Sequence, residues 1–124
     1  MPSRKRWRWA LAAGAVLVGA AAAHGRFVVR GESMTPTLEP GDRLLVRRWP
    51  ARARPGDLVV VVQPGPPDRL VVKRLAAARS SRLTVLGDNP AASTDSRHYG
   101  DLPRGALRGR VVYRYAPAER SGRP

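Results

Sequence analysis

This 124-residue chain predicts a mainly β fold, a compact antiparallel β domain preceded by one N-terminal transmembrane helix. Three observations carry that expectation. Residues 10–23 form an uninterrupted run of Ala, Leu, Val and Gly; beyond residue 26, short β-branched runs are punctuated by proline and glycine; and the length leaves room for one domain.

The first element is a membrane-targeting segment. Residues 4–8 read Arg-Lys-Arg-Trp-Arg, four positive charges without an acid, directly before the apolar run. Trp7 to Ala23 is 17 residues, or roughly 25 Å of helix at the standard rise, short for a hydrocarbon core of about 30 Å. Interfacial Trp7 and Trp9 and a snorkelling Arg8 extend the usable length. Charge asymmetry then puts the N-terminus in the cytoplasm and everything after His24 outside. Two other readings stay open: a signal peptide cleaved near Ala21-Ala22-Ala23, and a soluble cytoplasmic chain with an Ala-rich helix. His24 is expected to mark the end of the helix.

Strand candidates follow in order: Val28-Val29, Arg43 to Arg47, Leu58 to Val62, Leu70 to Val72, Leu83 to Leu86 and Arg110 to Tyr115. Pro40-Gly41-Asp42 precedes Leu44-Leu45-Val46, and Pro55-Gly56-Asp57 precedes Leu58-Val59-Val60, so turn-then-strand occurs twice. Gln63 to Asp68 holds three prolines and predicts a surface loop. The domain divisions are 1–25 for the basic segment and anchor, 26–116 for the catalytic domain, and 117–124 for a flexible tail.

Composition excludes several functions. The net charge of +14 attracts anionic partners in general, yet the arginines are scattered, only seven residues are aromatic, and no zinc-finger or basic-zipper spacing occurs. Nucleic acid is therefore not the expected partner. With no cysteine, neither a thiol nucleophile nor a disulfide framework is available. No His, Cys, Asp and Glu cluster has metal-ligand spacing, so neither a metal nor a cofactor is expected.

The chemistry gathers at two residues. Only two of the 23 basic residues are lysines, and Lys73 ends the apolar run Leu70-Val71-Val72. A guanidinium stays protonated at any workable pH, whereas a desolvated lysine amine loses its proton and becomes a base. Ser33, forty residues earlier, sits in the turn-forming stretch Gly31-Glu32-Ser33-Met34-Thr35-Pro36-Thr37. There a hydroxyl is presented and amides near Gly31 and Ser33 are candidates to face an oxyanion. Serine plus lysine makes a hydrolytic dyad. Taken singly, Ser33 also reads as a turn residue, Lys73 as an edge-strand lysine, and Gly87 to Arg97 as a loop. Met34 suits core packing and a groove wall equally. His98 reads as a surface histidine.

Gly31 to Thr37, Val71-Val72-Lys73-Arg74 and Gly87-Asp88-Asn89-Pro90-Ala91-Ala92-Ser93-Thr94-Asp95-Ser96-Arg97 together resemble, in order, the three boxes of the signal peptidase I family of membrane-anchored serine proteases. The resemblance covers most of residues 26–115 and implies that family's β catalytic domain. It implies Ser33 as nucleophile, Lys73 as general base, Ser93 as the hydroxyl orienting the amine, and structural roles for Asp88, Asp95 and Arg97. It also implies a backbone amide of Ser33 in the oxyanion hole; Gly31 stands where some relatives carry a serine. Lysine at 73 resembles the bacterial and organellar type. The implied substrates are protein precursors with small residues before the cut. Compactness and the wording of the third box resemble the branch associated with maturing nickel-type superoxide dismutase. Two further readings are a self-cleaving repressor, which shares Gly31 to Val46, and a non-enzymatic basic β domain tethered to a membrane and binding anionic lipid or nucleic acid.

Overall fold

The computed structural model describes residues 23–50 and 52–124; the apolar run expected to span a membrane lies, but for Ala23, outside the described residues. Among the described residues no helix is long and apolar enough to cross a membrane. Seven strands form one antiparallel sheet: β1 (His24–Val28), β2 (Arg43–Arg47), β3 (Leu58–Gln63), β4 (Arg69–Ala78), β5 (Arg82–Leu86), β6 (Leu102–Pro103) and β7 (Leu107–Ala116). Their spatial order is β1-β2-β7-β3-β4-β5-β6.

β3 is the centre because its sequence has no polar face. Leu58, Val59, Val60 and Val61 are all buried, and alternation sends them to two different cores. Leu58 and Val60 join Val29, Met34, Leu38, Leu44, Val46 and Val72 on one side. Val59 and Val61 join Leu75, Leu83, Val85, Leu102 and Ala106 on the other. Each such side chain contributes about 1.5–3 kcal/mol by leaving water. An aspartate at Val61 therefore buries an unpaired carboxylate and breaks the domain.

The two Pro-Gly-Asp segments fold alike. Gly41 and Gly56 have φ of 90° and 98°, the left-handed value that the third position of a type II turn requires after proline. In the first turn Asp42 Oδ2 accepts from the Glu39 amide at 2.9 Å; in the second Asp57 Oδ2 accepts from the Arg54 amide at 2.8 Å. Each glycine amide then donates to the carbonyl of a core residue, Val29 or Leu75, whose own amide donates to the aspartate carbonyl. The repeated sequence thus delivers β2 and β3 by one device used twice.

Several expectations shift. The first strand ends at Val28 rather than including Val29, whose backbone is taken by Gly41 and Asp42. His24 opens β1 instead of closing a helix, which moves the start of the β domain before residue 26. β4 continues to Ala78, well beyond Val72. Residues 117–124, expected as a flexible tail, hold a 3-10 turn at Ala118–Arg120 and a bridge from Arg114 to Gly122. The Arg120 guanidinium ties this segment to buried Asp42 at 2.9 Å, an attachment that composition alone does not announce.

Candidate active site

Ser33 is half-buried at the start of the turn that follows β1. Gly31, at φ 72°, reverses the chain just before it, a conformation that disfavours any side chain there. Met34 is in the core rather than in a groove wall, and its Sδ accepts from the Asp88 amide at 3.4 Å. Thr35 Oγ1 donates to the Glu32 carbonyl at 3.0 Å. The Ser33 amide has no hydrogen-bond partner among the described residues, so its N–H is available to an incoming oxygen.

Lys73 is 3 % exposed. β4 lies between β3 and β5, so the edge-strand reading fails: Lys73 pairs with Val59 in the middle of the sheet. Its Nζ donates to Ser93 Oγ at 3.1 Å, and Ser93 Oγ donates to Asp95 Oδ2 at 2.6 Å. Burial pushes the Lys73 pKa below its ordinary 10.5; the Asp95 carboxylate opposes that shift and the Arg97 cation reinforces it. Burial therefore favours the neutral amine that a general base requires.

Asp95 is fully buried and accepts from five donors besides its role as helix cap partner to His98. They are Ser93 Oγ, the Gly87 amide at 2.8 Å, the Arg97 amide at 3.1 Å, Arg97 Nε at 2.9 Å and Arg97 Nη2 at 2.5 Å. Burial alone raises a carboxylate pKa, but this donor set overcomes it and holds Asp95 well below the usual range. The segment is more than a loop: Pro90–Ala92 forms a 3-10 turn and Ser96–Tyr99 one turn of helix capped by Asp95. His98 is exposed and its Nδ1 accepts from the Asp95 amide, a capping role.

Gly87 joins the pieces. A Cβ added there lies 2.1 Å from Ser93 Oγ and 2.7 Å from the Ser33 carbonyl oxygen, so only glycine lets the two serines approach. Among the described residues no hydrogen bond links Ser33 Oγ directly to Lys73 Nζ. The structure brings Ser33, Lys73, Ser93, Asp95 and Arg97 to one locality, with Gly31 shaping the turn beside it.

Asp88 sits just outside. It accepts from Thr37 Oγ1 at 2.6 Å and from Arg74 Nε and Nη2 at 2.9 and 2.8 Å, and these bonds hold its pKa down. Arg74 also donates to the Gly56 carbonyl at 2.8 Å. Asn89 was not among the candidate residues, yet its amide donates to the Ser33 carbonyl at 2.9 Å. Its side chain donates to the Glu32 carbonyl and to Thr35 Oγ1. An asparagine inside a turn-rich stretch gives no sign that its partners lie more than fifty residues away. All three sequence boxes are thereby stitched together through Asp88 and Asn89.

A cleft of about 580 Å³ runs beside Ser33, lined by Phe27 and Val28 of β1 and by Leu70, Val71 and Val72 of β4. Strands from separated places in the sheet border one groove, so the sheet coils around it. Among the described residues no group of three or more His, Cys, Asp or Glu side chains is arranged to hold a metal.

Residues 4–83, which include both Ser33 and Lys73, match the family model described as signal peptidase, peptidase S26. The chain belongs to this family. It is a serine peptidase. It is 34 % identical over 120 residues to the mitochondrial ATP-independent inner membrane protease subunit 1a of Arabidopsis thaliana, covering 76 % of this chain and 71 % of that one. Mitochondrial inner membrane protease subunit 1 of Mus musculus is 28 % identical, covering 75 % and 70 %. Subunit 2 of the same organism is 30 % identical, covering 74 % and 67 %.

Proposed function

We propose that this peptidase removes N-terminal signal or pro-peptides by a Ser33–Lys73 dyad. The observation that carries the reading is the buried Lys73 amine, held by Ser93 and depressed in pKa, in the locality that Gly87 opens to Ser33. Neutral Lys73 takes the Ser33 Oγ proton as Oγ attacks the scissile carbonyl carbon. The oxyanion meets the unpartnered Ser33 amide. The lysine ammonium then returns its proton to the departing amine, leaving an acyl-serine ester. Water, deprotonated by the same amine, attacks the ester, releases the peptide acid and restores Ser33. Ser93 orients the amine; Asp95 and Arg97 fix Ser93; Asp88 braces the turn carrying Ser33.

The substrate lies extended in the groove between β1 and β4, with small side chains at the first and third positions before the cut. Residues 10–23 serve as a single-pass anchor, with the N-terminus cytoplasmic and the β domain, which opens at His24, outside. Between β4 and β5 the chain turns in three residues, 79–81, which supports the compact branch associated with maturing nickel-type superoxide dismutase.

Ser33→Ala and Lys73→Arg are the tests. Both are expected to lower cleavage of an Ala-x-Ala peptide to background with an unchanged circular dichroism spectrum. Loss of general-base catalysis alone is worth about 10²- to 10⁴-fold. Lys73→Arg keeps the charge but cannot shed it, so retained activity overturns the base assignment. Comparing membrane-tethered Ala-x-Ala precursors with a soluble nickel superoxide dismutase precursor decides the branch, since cleavage of only the tethered substrate excludes the dismutase reading.

A further inference from the structure

A second cleft, about 770 Å³, shares no lining residue with the groove beside Ser33, and no step of catalysis uses it. Arg47, Arg52, Arg54, Arg104, Arg110 and Arg123 line it against one acid, Asp57. None of the six forms an ion pair among the described residues, although four other arginines of the domain do. Arg110 Nε is buried there without a hydrogen-bond partner among the described residues. Leu75, Leu83 and Leu107 give the cleft an apolar floor. Guanidinium forks around an apolar floor match a phosphodiester joined to hydrocarbon.

The rim of the cleft indicates where that ligand comes from. Pro50 and Arg47 line it, and between them Trp49 is 74 % exposed. The amides of Arg48 and Trp49 both donate to the Ala23 carbonyl, at 2.7 and 3.2 Å. Ala23 is the last residue of the apolar run, so the chain enters the domain at this rim. A large exposed tryptophan amid arginines beside the end of an apolar segment fits the headgroup layer of a bilayer.

We propose that the arginine cleft and Trp49 form a docking face for anionic phospholipid headgroups. The proposal rests on the reading of residues 10–23 as an anchor. β1 begins at this face and ends just before the Ser33 turn, so its five residues, roughly 15 Å of strand, set the height of the groove above the headgroups.

The test uses the full chain carrying Trp7→Phe and Trp9→Phe, so that Trp49 is the sole tryptophan, in nanodiscs of brominated phosphatidylcholine with or without phosphatidylglycerol. Strong quenching of Trp49 is expected only with phosphatidylglycerol. Arg52→Gln, Arg54→Gln and Arg123→Gln, all at exposed positions, are each expected to weaken docking about fivefold. Quenching indifferent to the anionic lipid or to these substitutions overturns the proposal. Release of Trp49 by millimolar inorganic phosphate, or by a DNA oligonucleotide in place of lipid, also overturns it. Cleavage of a short peptide in detergent is expected to be unchanged in the arginine variants. Loss of the peptidase reading therefore registers separately, in the Ser33→Ala control.

Discussion

Asp88 and Asp95 stand seven residues apart in one segment, and each accepts a forked arginine, yet their surroundings differ. Asp95 is sealed from solvent and, besides the Gly87 and Arg97 amides, accepts from Ser93, which in turn holds Lys73. Asp88 keeps some exposure and spends its capacity on Thr37 and Arg74, neither of which touches the lysine amine. One carboxylate sets the electrostatics of a base; the other is a fastening between distant segments. The pairing with arginine is common to both, so it is the third partner and the burial that separate chemistry from architecture.

The largest effect expected to test this contrast is Asp95→Asn. It replaces one of the two acceptor oxygens by an amide donor that faces the Ser93, Gly87 or Arg97 donors, and a general base misplaced in consequence costs about 100-fold in kcat. Gly87→Ala comes next. Its Cβ collides with Ser93 and with the Ser33 carbonyl, so loss of kcat by at least about tenfold is expected, with little change in KM. Asp88→Asn should spare kcat while lowering stability by about 1 kcal/mol, since the exposed Arg74 side of the pair is screened. Denaturant unfolding beside kinetics checks all three, and an Asp88→Asn enzyme as slow as Asp95→Asn erases the distinction.

The smallest and sharpest effects are in pH. The rate should rise with pH as Lys73 deprotonates. Asp95 raises the Lys73 pKa and Arg97 lowers it. Asp95→Asn should therefore move the rise to lower pH, Arg97→Gln to higher pH, and Asp88→Asn not at all. Stability follows with definite signs. Between the depressed folded value and 10.5 the unfolded chain binds the extra proton, so Lys73 makes the domain more stable as pH rises through that window. Asp95 contributes stability present above about 3.8 and lost as pH falls toward its lower folded value. A Lys73→Met variant should lose the alkaline rise in stability and keep the acid loss.

Much of this was legible in the sequence for physical reasons. Strands β2, β3 and β5 follow β-branched runs closely bounded by turn formers, and the paired Pro-Gly-Asp turns need glycine where φ is positive. β4 beyond Lys73 was hidden because Arg74 and Ala76 to Ala78 carry little strand preference; pairing with β5 holds them extended. β6, two residues long, has no period to detect. The serine, the lysine and the third box were visible because each is unusual in composition. The roles of Asn89 and Arg74 inside those boxes were not, because their partners, the backbone of Glu32, Ser33 and Gly56 and the Asp88 carboxylate, are set by the fold, which local pattern does not index.

Lys73 and Arg74 are adjacent on β4, and pleating sends neighbours to opposite faces. The strand thus assigns its two cations by parity: the one that can discharge faces Ser93, the one that cannot faces Asp88. Pairing from Leu58–Arg74 to Gln63–Arg69 runs without a bulge, and irregularity with β5 begins only past Leu75. A one-residue insertion in the 64–68 loop is absorbed before the count starts. The same insertion between Leu70 and Val72 exchanges the faces, brings apolar Val72 to the place of Lys73 beside Ser93, and silences a site in which every functional side chain is still encoded.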